Sequence, residues 1–440
     1  MWGAASSAYQ IEGYSRSDGG GESVWDAFCR KKGAIANGES GAVACDAYHR
    51  FEEDLDILTQ LGVRHYRFST SWARVDPLGD GTWNPAGLAY YDRVVDACLE
   101  RGITPWVTLY HWELPQAAEE RGGWLAPETA QAFARFAGTM AGRFNGRVKH
   151  YFTLNEAQIV LKLGYAQGVH APGKQYEPPQ LARCWKHLLM AHGLATRAVR
   201  QAAPGAQVGI ASTGRLCYPH TPADRAASAK AAFAMPDEDW MFTHSCVLDP
   251  VCLGGISPEG PQLAGLVREV TAQEWEVIHA VPDMIGVNSY NGSEVAAGAD
   301  GAPVYLPRYP GFPRTALKWP ITPEIMEYGY EDLYERYRLP LYVTECGLSC
   351  NDRIFLDGKV HDPDRIDFLT RYLSALGRGA EKADIRGFFH WSLTDNFEWH
   401  SGYGERFGLV YVDYPSQRRV LKDSARWYAG VVRANGLEER

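Results

Sequence analysis

The chain has 440 residues, of which 45% are hydrophobic and 22% charged, and its formal net charge is −9. This composition is typical of a folded protein with ample apolar side chains for a core, and it excludes a disordered or fibrous chain. The negative charge and the lack of a Lys/Arg-rich run argue against nucleic acids and anionic membranes as partners.

Localisation and domain organisation are predicted from similarly coarse signals. No segment approaches the roughly 18 apolar residues of a membrane span, and the start, MWGAASSAYQIEG, lacks a basic region followed by an apolar core. The nine cysteines are scattered and fit neither a disulfide framework nor a zinc spacing. We therefore expect a cytoplasmic protein with free thiols and without metal or cofactor. No linker divides residues 1–440, so a single domain is expected.

Apolar runs of strand length recur along the chain, separated mostly by segments of helical period. In chain order they are GAASSA (3–8), VRHYRFS (63–69), TPWVTLY (104–110), HYFTLNE (150–156), QVGIAST (207–213), MIGVNSY (284–290), LPLYVTE (339–345) and RGFFHWS (386–392). Residues 214–283 and 291–330 are predicted to be long loops with short helices, and such loops often shape a pocket.

Three intervening segments, residues 85–102, 127–144 and 363–379, carry the clearest helical signals. In the first, Pro85 lies near the start, Gly102 follows the end, and one apolar stripe is formed by Leu88, Tyr91, Val95, Cys98 and Leu99. The other two repeat large apolar residues three or four positions apart. This alternation of strand and helix predicts an α/β fold, a single (β/α)8 TIM barrel, with its active site at the C-terminal ends of the strands.

Polar and aromatic residues cluster at those predicted strand ends. They are Arg67 on the second strand, His111 and Trp112 after the third, Asn155 and Glu156 on the fourth, Asn288 and Tyr290 on the sixth, and Glu345 on the seventh. Any one of them has an ordinary structural explanation, since a strand-end Glu is usually solvated or caps a helix. Together on one barrel face, however, two glutamates are what the cleavage of a glycosidic bond requires.

Short sequence blocks carry a more specific signal. They are SAYQIEG (7–13), RFSTSW (67–72), LYHWELP (109–115), TLNE (153–156), GVNSY (286–290), TECG (344–347), WSLTDNFEW (391–399) and RFGLVYVDY (406–414). In this order, over nearly the whole chain, they resemble glycoside hydrolase family 1, the β-glucosidase family. TLNE alone is a weak signal, whereas the ordered set is highly specific.

The resemblance implies a retaining β-glucosidase that removes terminal glucosyl residues from small glycosides and oligosaccharides by double displacement. Galactosyl and fucosyl residues stay open as alternatives. Glu156 would be the acid/base and Glu345 the nucleophile. Arg67 and Tyr290 match family positions beside the nucleophile and would keep it ionised, and its charge would raise the pKa of Glu156.

The resemblance also implies the residues that bind the substrate. Sugar hydroxyls need donors and acceptors, whereas the C–H face of a pyranose needs a flat apolar platform. The expected sugar-binding set is Gln10, His111, Asn155, Tyr290, Trp391, Glu398 and Trp399. Trp319 would be the platform for the leaving group, Phe407 would help close the far wall, and Arg67, Asn288 and Trp112 would support the site. Four of the 14 tryptophans, at positions 112, 319, 391 and 399, are expected in the pocket.

Two alternatives and two departures remain. A 6-phospho-β-glycosidase of this family generally has smaller or neutral residues in place of Glu398 and Trp399, and a carboxylate at position 398 would repel the phosphate. A non-catalytic sugar-binding relative would lack one or both glutamates.

Cys346 stands where the family usually has Asn, and Ser289 where Tyr is common. Linkage preference and association into a homo-oligomer are left open.

Overall fold

Eight parallel strands close into a barrel in the computed structural model, which describes residues 1–437. They are β1 (Trp2–Ala5), β2 (His65–Ser69), β3 (Thr104–Tyr110), β4 (His150–Asn155), β5 (Gln207–Ser212), β6 (Met284–Asn288), β7 (Leu341–Cys346) and β8 (Ile385–Trp391). Each pairs with the next along the chain, and β8 closes on β1, where Ala5 lies opposite Trp391. The predicted barrel is confirmed, and every predicted run overlaps one strand, with ends that differ by at most three residues.

Large side chains fill the barrel interior below the strand ends. The indole of Trp106 stacks on His150 with ring centroids 3.8 Å apart and meets Phe389 at 5.3 Å. Backbones approach closely at Gly286, where an added Cβ would lie 2.6 Å from the side chain of Thr344. The interior is therefore a packed core, which supports the residues of the upper face rigidly.

Helices cover the outside of the barrel. The main ones are α1 (Ala47–Leu61), α2 (Pro85–Glu100), α3 (Pro127–Arg143), α4 (Pro178–Ala202), α5 (Ala272–Ile278), α6 (Ile325–Tyr337), α7 (Pro363–Gly379) and α8 (Asp423–Ala434). Additional helices are Ala8–Ile11, Val24–Cys29, Trp72–Val75, Gln116–Glu120, Ala157–Ile159, Arg225–Phe233, Ser245–Leu248 and Pro261–Val267, with π-helical turns at Val160–Ala166 and Asp249–Leu253.

Helix α2 shows how the sequence signals act, and where one failed. Asn84 caps it by accepting a hydrogen bond from the backbone N–H of Ala86, and Pro85 takes the first turn, where no N–H is needed. Most of the predicted apolar stripe is buried, but Leu99 is 40% exposed, so its placement on the stripe was wrong. Leu99 follows Cys98 by one residue, which turns it about 100° around the helix, toward solvent.

The segments predicted as long loops contain more regular structure than expected. Besides their short helices, they form a three-stranded sheet from Cys217–Pro219, Ser293–Ala297 and Pro303–Tyr305. A hairpin, Val410–Asp413 with Arg418–Leu421, precedes α8. Within residues 1–437, no helix is long and apolar enough to cross a membrane.

Candidate active site

The C-terminal ends of the strands surround a cavity of about 710 Å³. Both Glu156 and Glu345 line it. So do the following residues that the sequence singled out: His111, Trp112, Asn288, Tyr290, Trp319, Trp391, Glu398, Trp399 and Phe407. The structure thus brings residues from β3, β4, β6, β7 and the segment after β8 to one place, although they are far apart in sequence.

Glu345 is held by two donors near the end of β7. The guanidinium of Arg67 donates to Oε1 at 2.7 Å, and the phenol of Tyr290 donates to Oε2 at 2.8 Å. Burial raises the pKa of the Glu345 carboxyl above its usual value, whereas the Arg67 charge and these hydrogen bonds limit that rise. Of the two glutamates, Glu345 is therefore the one whose ionised form is stabilised by donors on both oxygens.

Glu156 follows β4 directly and has a left-handed backbone, with φ of 48°. Its backbone N–H donates to Ala211 of β5 at 2.8 Å, which fixes this costly conformation. Its carboxyl accepts one hydrogen bond, from the Asn288 amide at 2.7 Å. Burial first, and then the Glu345 charge, raises the pKa of Glu156. Without a cation of its own, Glu156 keeps a proton when Glu345 has lost one.

A buried hydrogen-bond network joins the two glutamates. Asn155 Oδ1 accepts from Arg67 at 2.6 Å and from Asn288 at 3.1 Å. Thr108 accepts from Arg67 Nε at 3.0 Å, and Thr344 donates to Asn288 Oδ1 at 2.7 Å. Sequence analysis missed these two threonines. Both are polar residues within otherwise apolar strands. They were not predicted because only residues at the strand ends were considered as candidates.

His111 lines the cavity, and one of its ring nitrogens has no hydrogen-bond partner within residues 1–437. Its Nε2 lies 3.2 Å from the Asn155 amide nitrogen, and Asn155 Oδ1 is occupied by Arg67 and Asn288. The amide therefore donates, Nε2 accepts, and the proton of the neutral ring is on Nδ1, which has no protein partner. Burial, followed by the Arg67 charge, keeps the pKa of His111 well below its usual range.

Aromatic rings and Glu398 form the wall next to His111. The rings of Trp391 and Trp399 stack on His111 with centroids 5.7 and 5.9 Å away. Glu398 accepts only a long hydrogen bond, 3.4 Å, from Gln10. Burial, together with the charges of Glu345 and Glu405, raises the pKa of Glu398 to about 8. This wall therefore offers flat apolar ring faces beside a carboxyl group whose two oxygens can accept hydrogen bonds.

Gln10 and Asn155 lie behind the cavity surface, and both are 0% exposed. The Gln10 amide donates to Asn396 Oδ1 at 3.0 Å and to Phe397 O at 2.9 Å, so it also shapes the loop that carries Glu398. The Asn155 amide donates to His111, as described above. Both amides are thus engaged with protein groups in this structure, and a sugar hydroxyl would compete with those contacts.

A second aromatic group borders the opposite side. Trp319 lies 5.2 Å from Tyr290 and 6.1 Å from Phe407, measured between ring centroids.

Trp112 belongs to the first wall. It donates its indole N–H to the backbone oxygen of Asn155 at 2.9 Å and packs 4.5 Å from Trp399, measured between ring centroids. Trp112 therefore ties the strand that carries Glu156 to the wall that carries Glu398.

The cavity lining also contains residues that were not predicted from the sequence. They are Ile159, Leu163, His170, Thr213, Arg215, Asp239, Phe242 and His400 among others, and the partly exposed Arg215 and Asp239 mark the mouth of the cavity. They come from loops and short helices, and no local pattern marked them, because their convergence depends on how the loops fold over the barrel.

The two departures from the family pattern lie outside the cavity surface. Cys346 is 0% exposed, and burial raises the pKa of its thiol. Ser289 is 1% exposed, and its hydroxyl lies 2.9 Å from that of Tyr330. Both therefore support the residues of the site from behind. Within residues 1–437, no group of three or more His, Cys, Asp or Glu side chains is arranged to hold a metal ion.

Comparisons with known proteins give a consistent result. The model of a family described as Glycosyl hydrolase family 1 matches residues 1–437. The chain is 37% identical to Beta-glucosidase A of Thermotoga maritima, over 100% of this chain and 98% of that protein. It is 41% identical to the bifunctional beta-D-glucosidase/beta-D-fucosidase of Bifidobacterium breve, over 97% and 96%. The solved family 1 β-glucosidase of Thermotoga maritima superposes with a TM-score of 0.91 at 37% identity, covering 100% of this chain and 98% of that one.

Proposed function

The chain belongs to glycosyl hydrolase family 1, and from this we infer that it is a retaining β-glucosidase. Its substrates would be terminal non-reducing β-D-glucosyl residues of small glycosides and oligosaccharides. The observation that carries the proposal is the asymmetry of the two glutamates in one cavity. Glu345 has Arg67 and Tyr290 as donors, whereas Glu156 has only an amide and retains its proton.

In the first half-reaction, Glu345 would attack the anomeric carbon while Glu156 gives its proton to the departing oxygen. The bond from the sugar to the leaving group breaks, and an ester between the sugar and Glu345 forms. Arg67 and Tyr290 hold both oxygens of Glu345, which fixes the carboxylate before attack.

In the second half-reaction, Glu156 acts as a base. Esterified Glu345 has no negative charge, so the pKa of Glu156 falls, and Glu156 can take a proton from water. The water oxygen bonds to the anomeric carbon, Glu345 leaves as a carboxylate, and two inversions restore the β configuration. The change in one neighbouring charge thus lets one residue serve in both steps.

An unphosphorylated sugar suits the wall around Glu398. Among the described residues that line the cavity, Arg215 alone carries a permanent positive charge, and it pairs with Asp239. A 6-phosphate would meet Glu398 without a counter-charge. The name of the Bifidobacterium breve relative makes fucosides worth testing beside glucosides. Neutral His111 lines the cavity and is proposed to contact the sugar there.

The proposal also covers the organisation of the chain. We propose that residues 1–440 form one catalytic domain that acts in the cytoplasm, since the barrel strands run from Trp2 to Trp391 and the nine cysteines are free thiols.

The test is hydrolysis of p-nitrophenyl β-glucoside, compared with its 6-phosphate and with the β-galactoside and β-fucoside. Turnover of the glucoside, with little turnover of the phosphate, is expected. Exclusive turnover of the 6-phosphate would identify a phospho-glycosidase. Sugar binding without turnover of any of these substrates would identify a non-catalytic relative. A panel of disaccharides then gives the linkage preference.

A further inference from the structure

Arg215 lies on the side of the cavity where a leaving group departs. It follows β5, whose Ala211 accepts the backbone hydrogen bond of Glu156, and it lines the cavity together with Glu156. A general acid must touch the leaving oxygen, so the segment beside the acid meets the group attached to that oxygen. Arg215 and its neighbours therefore face the leaving group, and the wall with Glu398 faces the sugar.

Two cations share one carboxylate at this position. Arg215 Nη2 lies 2.7 Å from Asp239 Oδ2, and Lys162 Nζ lies 2.6 Å from Asp239 Oδ1. Both Asp239 oxygens are thus occupied, and the cluster of Arg215, Asp239 and Lys162 keeps one net positive charge. The side chains of Arg215 and Lys162 are 15% and 24% exposed, so their charges are only partly screened by solvent.

The guanidinium of Arg215 has donors to spare. Besides Asp239, it donates to the Tyr305 hydroxyl at 3.2 Å and lies over that ring, with 5.4 Å from Cζ to the centroid. A guanidinium carries five N–H groups in a planar fork that suits a carboxylate. Phe242, which lines the cavity beside Asp239, adds an apolar surface for a flat leaving group.

The negative charge of the cavity lies at its floor, on Glu345, in contrast to the net positive charge of the cluster. Glu345 is the ionised carboxyl, and the raised pKa values of Glu156 and Glu398 favour their neutral forms. Burial lowers the pKa of His170 to about 3 and lowers that of His400, so neither of these lining residues adds a charge. The field of the cavity therefore runs from a negative floor to a positive mouth.

We propose that the Arg215, Asp239 and Lys162 cluster selects leaving groups that carry a carboxylate, such as β-glucosides of phenolic acids. The inference rests on the proposed β-glucosidase function. The neutral glucosyl group would enter toward Glu345, and the carboxylate would remain at the mouth, where the net charge is positive. Opposite charges at the two ends of the cavity thus orient the substrate as well as bind it.

The test compares 4-carboxyphenyl β-glucoside with its methyl ester, which has nearly the same shape and no charge. The ratio of their kcat/KM values is measured in the unmodified enzyme, in Arg215→Gln, Lys162→Met and Asp239→Asn, and in Arg371→Gln. Comparing this ratio between variants cancels the different intrinsic reactivity of the two leaving groups. Arg371 forms an exposed helix pair with Asp367 and serves as the matched control.

Removal of either cation should lower the ratio of acid to ester about three- to tenfold, which is the scale of a partly screened charge pair. Asp239→Asn should raise the ratio, because two positive charges then remain. Arg371→Gln should leave it unchanged, and added salt should weaken the preference of the unmodified enzyme. Circular dichroism verifies the fold of each variant. Lys162→Met tests the charge without altering a residue of the cavity wall.

An equal ratio in the unmodified enzyme, Arg215→Gln and Lys162→Met would overturn the inference. If the methyl ester is cleaved in that case, the β-glucosidase function stands and only the charge selection fails. If the unmodified enzyme cleaves neither substrate nor p-nitrophenyl β-glucoside, the proposed function itself fails.

Discussion

The guanidinium of Arg67 and the carboxylate of Glu345 form a buried ion pair of 2.7 Å, with their side chains 0% and 5% exposed. Removing one partner from such a pair leaves an uncompensated charge in a poorly solvated place, so the pair is costly to break. It also separates the roles of the two glutamates, since Glu156 has no equivalent cation. The chemistry of the site follows from this one-sided placement of positive charge.

Replacing Glu345 with Ala should abolish hydrolysis, with a loss on the order of 10⁴- to 10⁶-fold in kcat, as for other enzymes that lose a nucleophile. Azide should restore turnover of an activated aryl glucoside, because the small anion fits where the carboxylate was. The product should be α-glucosyl azide, identified by NMR. Substantial activity without azide would remove Glu345 from the mechanism.

Replacing Glu156 with Ala should give a different kinetic pattern. Cleavage of 2,4-dinitrophenyl β-glucoside, whose leaving group needs no proton, should still form the glycosyl-enzyme and show a burst of product. Cellobiose should not be cleaved. Azide should yield β-glucosyl azide, since it attacks the intermediate in place of water. Equal losses for both substrates would contradict the assignment of Glu156 as acid.

The pH profile of kcat/KM should be bell-shaped. Burial and the Glu345 charge raise the pKa of Glu156, so the proton donor persists at neutral pH and is lost as the pH rises through that pKa. The acidic limb reports protonation of Glu345 within the coupled pair. Measured with p-nitrophenyl β-glucoside, whose less acidic leaving group is helped by the proton, the basic limb should disappear in Glu156→Ala. A basic limb that is unchanged in this variant belongs to another group.

Glu398 should lower stability at alkaline pH. Its folded-state pKa of about 8 exceeds the unfolded value, so the folded protein binds the extra proton, and stability falls as the pH rises from the unfolded pKa toward 8. Glu398→Gln removes this penalty. We expect the free energy of unfolding to increase by about 1 to 3 kcal/mol near pH 8 and hardly at all near pH 4. This figure is smaller than the full pKa shift implies, because the carboxyl faces the cavity and solvent screens it.

Thermal unfolding at both pH values measures this effect, with exposed Glu381 changed to Gln as the matched control. The Glu398 variant should also lose sugar binding, seen as a higher KM for p-nitrophenyl β-glucoside. A loss of stability at pH 8 would contradict the raised pKa.

The floor of the site was predictable from sequence, because parallel strands bring their C-terminal ends together regardless of how the loops fold. Glu156 and Glu345 follow from this rule once their strands are identified. Strand β3 was placed with correct ends because TPWVTLY is buried along nearly its whole length. Leu99 shows the limit of a periodic pattern, since the pattern does not fix how wide the buried face of a helix is, and Leu99 lies outside that face.

The mouth of the site was not predictable in the same way. Arg215 and Asp239 belong to segments read as loops, and they meet Lys162 only through the packing of three separate connections. Their pairing depends on tertiary geometry, for which no spacing rule exists. The hydrogen bonds of Thr108 and Thr344 were overlooked for a related reason, since a buried threonine in a strand is usually explained by packing alone.

The most direct test of the central claim is to trap the covalent intermediate. 2,4-Dinitrophenyl 2-deoxy-2-fluoro-β-glucoside should inactivate the enzyme. The fluorine slows both half-reactions, whereas the activated leaving group speeds only the first, so the ester forms and accumulates. Intact mass should increase by one fluoroglucosyl group, and peptide mapping should place that group on Glu345. A label on Glu156 or elsewhere, or turnover of normal glucosides with no trapped adduct and an inverted product, would contradict the account.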